Sequence, residues 1–283
     1  MKNKIIKISI VGRTNAGKST LINQIVGEKI SIQNKKINTT QETIIGVKNI
    51  KDTQFLFYDT PGSNFLKSLN SLSIKLKKNL WNGIDESDLI LYMIDASLVN
   101  LNFVFDQLEK IKETKKKIII AFNKTDLILN KKLLPIISKI NQVFKIESFF
   151  TLSVKKNIGI YELLKEIDKY AYPSKWIYTE NEITDKDDKF FLNELLRESM
   201  LTFLHKEIPY NINIITSNFK ILKNSDIKIK QKIYFKEKRY KKIILGKKGS
   251  MIKKIREDCQ NKITKFFSKK IHLYLELIPN DRN

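Results

Sequence analysis

The feature that most restricts the fold of this chain is a glycine-rich segment, GRTNAGKS, at residues 12–19. It matches the pattern GxxxxGK[ST] and lies between an apolar run and a helix-like stretch, which is the context that this motif requires. In such a loop the backbone amides surround phosphate groups, and the N-terminus of the following helix adds a favourable dipole. The segment therefore predicts a nucleoside triphosphate site in which Lys18 contacts the β- and γ-phosphates and the Ser19 hydroxyl binds Mg²⁺.

Short apolar runs alternate with helical stretches over roughly the first 170 residues, as in a mostly parallel sheet with helices on both faces. The runs at 43–49 and 54–58 flank a turn and predict one antiparallel hairpin that extends the sheet. The chain is thus α/β, with a nucleotide-binding domain over residues 1–173, a polar linker over 174–189 and a second domain over 190–283. The predicted buried strands are Ile5–Val11, Phe55–Tyr58, Leu89–Ile94 and Ile118–Phe122, and the predicted helices include Thr20–Val26 and Phe103–Glu113.

The segment NKTD at residues 123–126 predicts which base is bound. It follows a predicted strand and so lies at the edge of the sheet where open α/β folds bind ligands. A carboxylate at Asp126 can accept hydrogen bonds from the ring N–H and the exocyclic amine of guanine, and adenine lacks that pair of donors. We therefore expect the nucleotide to be GTP or GDP.

Two further segments predict contacts to the metal and to the γ-phosphate. In the DTPG segment at residues 59–62, Asp59 is placed to hold Mg²⁺ through a water, and the Gly62 amide is placed to meet the γ-phosphate. Between the glycine-rich segment and the DTPG segment, a polar loop holds paired threonines. The Thr40 hydroxyl could complete the Mg²⁺ shell only while the γ-phosphate remains. We expect Lys18, Thr40 and Gly62 to act in hydrolysis.

The basic charge of the chain is concentrated towards its C-terminal end. The formal net charge is +23, and residues 220–270 hold 19 basic and 4 acidic side chains. This stretch contains a GKKG loop between two predicted helices, in which glycines permit close backbone approach and lysines face phosphates, as in KH domains that clamp about four nucleotides. An anionic membrane surface would attract the same charge. We expect RNA contacts from Gly246, Lys247, Lys248 and Gly249.

The nucleotide motifs, in their order, resemble the Era family of GTPases, and the segments GRTNAGKSTLIN and TTQETIIG add to the resemblance. The order helix, strand, strand, helix, GxxG, helix, strand near the C-terminus is similar to the α+β KH domain of the bacterial type that follows the GTPase domain in that family. The resemblance implies a base-binding loop at residues 153–155, where Val154 replaces the usual alanine. The implied nucleotide-binding residues are Gly12, Asn15, Ala16, Gly17, Lys18, Ser19, Thr20, Asp59, Gly62, Asn123, Lys124, Asp126, Ser153, Val154 and Lys155.

The sequence departs from the family at positions that bear on catalysis. Ser63 stands where Ras-like enzymes have a water-orienting glutamine and Era relatives usually have a hydrophobic residue, so we expect slow hydrolysis that a bound partner accelerates. Gln41 stands where many relatives have arginine. Asn15 leaves two interpretations open, a K⁺ site beside the phosphates or hydrogen bonds that stabilise the loop.

The resemblance implies a GTPase that binds small-subunit ribosomal RNA during assembly of the small subunit. Two alternatives remain open, a GTP-gated RNA chaperone with vestigial hydrolysis and a membrane-associated cell-cycle switch. No apolar run approaches the roughly 20 residues that cross a bilayer. The single cysteine, Cys259, excludes an intrachain disulfide and has the spacing of an apolar helix face. We expect a monomer in the cytoplasm, or peripherally bound at the inner face of the cell membrane.

Overall fold

The computed structural model describes residues 3–30, 43–62, 71–204 and 208–279. The chain divides into two units, the first ending at Asp185 and the second beginning at Lys186. The first unit is an α/β domain with a mostly parallel sheet, and the second is an α+β domain with a smaller mixed sheet. The fold class predicted from the sequence is therefore confirmed.

The first sheet places the strand that leads into the glycine-rich segment at its centre. Over the described residues the strands follow the order β2-β3-β1-β4-β5-β6, and each neighbouring pair is parallel except the hairpin of β2 and β3. Continuous apolar runs form the central strands because side chains on both faces of the sheet are buried, as along Leu89–Ile94. The strands are β1 Lys4–Gly12, β2 Ile44–Ile50, β3 Thr53–Asp59, β4 Leu89–Asp95, β5 Lys117–Asn123 and β6 Ser148–Thr151.

The helices of the first unit alternate with these strands, as the sequence predicted. The phosphate loop leads directly into the first helix, and β5 leads into the NKTD segment. A short strand, β7 Tyr172–Pro173, pairs antiparallel with the start of β1 and was not predicted. The helices are α1 Lys18–Val26, α2 Ser71–Asp85, α3 Leu101–Lys112, α4 Leu134–Val143 and α5 Ile160–Asp168.

Residues 174–185, which the sequence analysis assigned to a linker, run along the edge of the first sheet. The fully buried side chain of Gln54 in β3 accepts from the backbone N–H groups of Ile177 (2.9 Å) and Tyr178 (3.0 Å) and donates to the Tyr178 carbonyl. Further along, the Val47 N–H of β2 donates to the Ile183 carbonyl at 2.8 Å. The buried amide needs these partners, and neither apolar periodicity nor composition reveals such a pairing.

The second unit packs three helices on one face of a three-stranded sheet. Its strand order is β10-β9-β8, with β9 parallel to β10 and antiparallel to β8. Cys259 is fully buried among leucine and isoleucine side chains of this core, as predicted, and burial raises the pKa of its thiol. Among the helices of the described residues, none has the length and apolar character needed to cross a membrane. The elements are α6 Asp188–Phe203, β8 Ile212–Ile221, β9 Ile227–Phe235, α7 Lys238–Leu245, α8 Ser250–Phe267 and β10 Ile271–Pro279.

Candidate nucleotide site and nucleic-acid interface

The phosphate loop, residues 12–19, connects the central strand β1 to α1. Gly17 has a left-handed backbone conformation (φ 102°), and a Cβ atom at this position would lie only 2.2 Å from the Asn123 Nδ2 atom. A side chain at position 17 is therefore excluded both by conformation and by close approach. Asn15 is also left-handed (φ 65°), and Ala16 is buried, while Thr20 lies in the first turn of α1.

Lys18 is held inside this loop. Its side chain is buried, and its ammonium group donates to the carbonyl oxygens of Gly12 (3.1 Å) and Arg13 (3.2 Å). Burial lowers the pKa of Lys18 to about 8, although the negative charge of Asp59 acts in the opposite direction. Additional negative charge at the loop, such as that of a phosphate, would stabilise the protonated form.

Ser19 and Asp59 bring two oxygen groups together beside the loop. The Ser19 hydroxyl donates to Asp59 Oδ2 at 2.7 Å, and Asp59 is fully buried at the end of β3. Mg²⁺ prefers oxygen ligands of this kind and keeps several waters in protein sites. The pair therefore fits a magnesium ion bound by the Ser19 hydroxyl and, through water, by the Asp59 carboxylate.

The residues that follow β3 run back along the phosphate loop. The Thr60 hydroxyl donates to the Ile10 carbonyl at 2.6 Å, and a Cβ atom at Gly62 would lie 2.4 Å from the side chain of Thr14. The Gly62 backbone lies directly against the loop, and any residue with a side chain would collide with Thr14. The predicted third metal ligand, Thr40, lies outside the described residues, as do Gln41 and Ser63.

Asn123 joins three segments that the sequence analysis treated separately. Its Nδ2 donates to the Ala16 carbonyl of the phosphate loop at 2.9 Å, and its Oδ1 accepts from the Val154 N–H at 3.1 Å. Asn123 is buried, so these hydrogen bonds are shielded from water. The side chain thus fixes the phosphate loop relative to the loop at residues 153–155.

Asp126 lies beside that second loop and carries the predicted acceptor oxygens. The Ser153 hydroxyl donates to Asp126 Oδ1 at 2.6 Å, and this hydrogen bond lowers the pKa of the Asp126 carboxyl. The positive charges of Lys155 and Lys156 lower it further. Asp126 is consequently a carboxylate at neutral pH, which is the form that accepts two hydrogen bonds from guanine.

The structure adds one residue to this site that the sequence analysis missed. The Lys124 ammonium contacts the Asp95 carboxylate at 2.5 Å, and the other Asp95 oxygen accepts from the backbone N–H of Ser97 at 3.0 Å. Asp95 ends β4 and stands beside Asn123 in the sheet register. Its position after a buried strand was the only available signal, because no motif includes it.

The GxxG loop of the second unit lies between α7 and α8, and its two glycines differ. A Cβ atom at Gly246 would lie 2.6 Å from Met251 Cβ, whereas one at Gly249 would meet nothing within 4 Å. Lys247 and Lys248 are both exposed, and Lys248 is left-handed (φ 51°). The loop is therefore an open backbone turn that carries two exposed cations between its glycines. A clamp on a phosphodiester backbone requires this arrangement.

Known proteins share both the order of these domains and their fold. A family model described as a 50S ribosome-binding GTPase matches residues 7–124, and a KH-domain model matches residues 207–283. The GTPase Era of Rickettsia conorii is 35% identical, over 96% of this chain and 79% of its own length. This chain belongs to the Era family of GTPases. The family predicted from the motifs is thus confirmed, and GTPase activity and guanine-nucleotide binding belong to the chain as a family member.

Other relatives extend the match over nearly the full length. The GTPase Era of Ruminiclostridium cellulolyticum is 33% identical over 98% of this chain and 93% of its own length. A crystal structure of Era in complex with MgGDPNP and nucleotides 1506–1542 of 16S ribosomal RNA has a TM-score of 0.86 and 30% identity, and covers 98% of this chain and 95% of its own. Aquifex aeolicus Era bound to GDP·AlF4⁻, in a variant form, has a TM-score of 0.85 and 29% identity, with coverage of 99% and 95%.

Proposed function

We propose that this chain binds RNA of the small ribosomal subunit through its GxxG loop during assembly of that subunit, and that GTP binding and hydrolysis switch the RNA-bound state. The observation that carries the proposal is the match of 98% of the chain to Era in complex with a 16S ribosomal RNA fragment and a magnesium nucleotide. The exposed lysines of the GxxG loop support it from the chain's own residues.

In this proposal the nucleotide is bound from both ends. Lys18 contacts the β- and γ-phosphates from within the loop, and its ammonium exchanges the carbonyl oxygens of Gly12 and Arg13 for phosphate oxygens. Asp126 accepts from guanine, and Asn123 keeps the two ends at a fixed separation through its bonds to both loops. Lys155 lies beside the base as an exposed cation.

For hydrolysis, we propose that Ser19, Thr40 and Asp59 hold Mg²⁺, which when bound supplies positive charge to the phosphate oxygens. The Gly62 N–H donates to the γ-phosphate, and Thr40 leaves the ion once that phosphate is gone. Asn15 marks a K⁺ site beside the phosphates in this proposal. Single-turnover hydrolysis in K⁺ and in Na⁺ tests that part, because equal rates in the two salts would remove K⁺ from the site.

The location that fits this function is the cytoplasm, with the chain acting as a monomer. The alternative binding partner of its basic surface is the anionic inner face of the cell membrane. RNA is favoured because two glycines with positive φ angles enclose the exposed lysine pair, an arrangement suited to a nucleic-acid backbone and without purpose at a lipid surface.

The test is to recover and sequence the RNA that is bound to the chain in cells. The chain is purified after ultraviolet cross-linking, beside a Lys247→Asp, Lys248→Asp double variant and a matched control, Lys139→Asp with Lys165→Asp, which reverses two exposed charges of the first unit. We expect small-subunit ribosomal RNA to be enriched with the parent and with the control, and to be lost with the GxxG variant.

Two results would contradict the proposal. Enrichment of other RNA classes in place of small-subunit RNA would exclude this partner. Recovery of the chain with anionic vesicles, reduced by the GxxG variant while RNA recovery is unchanged, would favour the membrane instead.

A further inference from the structure

The sheet of the second unit has a solvent-exposed face on the side opposite its helices. Along β9 the residues alternate strictly: Ile227, Ile229 and Ile233 are buried in the core, whereas the lysines between them point away from it. This second set, with its neighbours on the adjacent strands, is here called the outer sheet face. The residues of the outer sheet face that carry the argument are Lys220, Lys228, Lys230, Lys232, Tyr274 and Glu276.

The strand register concentrates positive charge on this face. Lys220 of β8 lies directly opposite Lys228 of β9, and like charges in that position destabilise a sheet. Lys230 pairs with Glu276 at 2.8 Å, but both side chains are almost half exposed, and a pair of this kind contributes little and exchanges readily. Glu276 also lies opposite Lys232, and a second carboxylate, Asp226, contacts His272 at 2.8 Å where β9 begins. Four lysines therefore outnumber the carboxylates on a surface that a polyanion would stabilise.

An exposed aromatic ring lies among these lysines. Tyr274 of β10 is 52% exposed, and the Lys228 ammonium lies 5.3 Å from the centre of its ring. In proteins that bind single-stranded nucleic acid, exposed rings stack on bases while neighbouring cations follow the backbone. A base stacked on Tyr274 would take the place of the Lys228 ammonium and leave that cation for the adjoining phosphate.

We propose that the outer sheet face is a second RNA-binding surface, on which Tyr274 stacks with an unpaired base and Lys228 and Lys232 contact the phosphates beside it. The inference rests on the proposed function, because it takes RNA to be the partner of this unit. It differs from the GxxG clamp, since that loop joins two helices on the other side of the sheet. The outer sheet face would thus bind nucleotides beyond the few that the loop holds.

Single-stranded RNA fits this surface better than a lipid surface does. Peripheral membrane binding inserts tryptophan, phenylalanine and leucine side chains into the lipid beneath a ring of cations. Here the ring among the cations is a tyrosine, and its neighbours Lys230 and Glu276 are both charged. Side chains of this kind would not insert into the lipid. Base stacking requires only such a flat ring with charged groups at its edge.

The experiment measures binding of two labelled single-stranded RNAs of mixed sequence, a 4-mer that fills only the GxxG loop and a 14-mer. Tyr274→Ala should weaken binding of the 14-mer by roughly 5- to 150-fold, the range for loss of one stacked base, and leave its salt dependence unchanged. Tyr274→Phe keeps the ring and should bind like the parent. Lys228→Gln with Lys232→Gln should lower the log–log salt slope by about 1.4, because each phosphate contact on a single strand contributes about 0.7.

Matched controls separate this proposal from the proposed function. Tyr161→Ala removes a ring of the first unit that is more exposed than Tyr274 (74% against 52%), and the pair Lys139→Gln with Lys165→Gln removes two exposed cations there. Both controls should leave binding unchanged. The GxxG double variant should lose the 4-mer, which the outer-face variants retain. Parent-like affinity and salt slope for the 14-mer in both outer-face variants would overturn the second surface while the GxxG clamp stands. Loss of binding to phosphatidylserine vesicles in those variants, with RNA binding intact, would also overturn it.

Discussion

The nucleotide site and the GxxG loop are built in opposite ways. In the nucleotide site, buried side chains hold distant segments together, as Asn123 does by bonding to Ala16, a residue 107 positions away in the chain. In the GxxG loop, the functional groups are local: two glycines set the backbone, and Lys247 and Lys248 extend into solvent. The first site is therefore preorganised by packing, and the second by the conformation of four consecutive residues.

This difference determines how each site responds to substitution. A buried polar group that loses its partner costs much more than an exposed one, because water cannot replace the missing hydrogen bond. We therefore expect large, all-or-none effects in the nucleotide site and graded, salt-dependent effects in the GxxG loop. Substitutions in the two regions test that contrast.

Lys18→Ala should lower GTP affinity by at least about a hundredfold, because a buried ammonium forms charge-assisted bonds with phosphate that water cannot match. The nucleotide-free variant should unfold at the same temperature as the parent or higher, since it no longer buries an amine at a cost. Equilibrium binding and thermal unfolding are measured together. A variant with parent-like GTP affinity would remove Lys18 from the phosphate site.

Asp126→Asn should change the preferred base from guanine to xanthine. The amide nitrogen donates where the carboxylate accepted, so GTP affinity should fall by about a hundredfold or more while XTP affinity rises. Ser153→Ala offers a graded comparison, because it removes only the 2.6 Å hydrogen bond to Asp126, and its effect should be smaller. Unchanged affinities for both nucleotides in competition binding would contradict the assigned base contact.

Lys247→Asp with Lys248→Asp should weaken RNA binding to a degree that depends on salt and leave GTP binding intact. Each lysine that faces a phosphate of a single strand contributes about 0.7 to the log–log salt slope, so reversing both charges should reduce that slope by at least about 1.4. Fluorescence anisotropy across a salt titration measures both affinity and slope, with GTP affinity as the internal control. If the loop behaved like the buried site, RNA affinity would fall by the same factor at every salt concentration, and the contrast between the two regions would fail.

The sequence predicted most of the nucleotide site because its chemistry is local in the chain. The motifs that include Lys18, Asp59 and Asp126 each follow an apolar strand, and parallel strands bring their carboxyl ends to one edge of the sheet. The position of each residue within its motif then predicts its role. The bond between Asn123 and the phosphate loop joins two of the predicted motifs, and only the folded chain shows it.

What could not be predicted depends on side chains without local pattern. Gln54 lies in an apolar strand, and nothing in its neighbourhood indicates that it binds the backbone of Ile177 and Tyr178. Asp95 is one of many acidic residues, and its contact with Lys124 arises from the register of β4 against β5. Both depend on pairing between segments, which a single sequence does not encode in any periodicity.

The smallest expected effect is the uptake of a proton when the nucleotide binds. Burial lowers the pKa of Lys18 to about 8, below its ordinary value of 10.5, so at pH 8.5 about three-quarters of the free protein has lost this proton. Bound phosphates stabilise the charged form, and binding at pH 8.5 should therefore take up about 0.7 proton, against about 0.1 at pH 7.

The same shift fixes the sign of the stability change in the nucleotide-free protein. Charging Lys18 opposes folding, so this cost is fully present below pH 8 and declines as the pH rises from 8 towards 10.5, where the unfolded chain also loses the proton. Calorimetry of GTP binding in two buffers of different ionisation enthalpy measures the proton uptake. Lys18→Arg is the control, since a guanidinium stays charged throughout this range and should show no uptake. Equal uptake at pH 7 and pH 8.5 in the parent would mean that the loop does not depress the Lys18 pKa, and the buried site would then resemble the exposed one in its electrostatics.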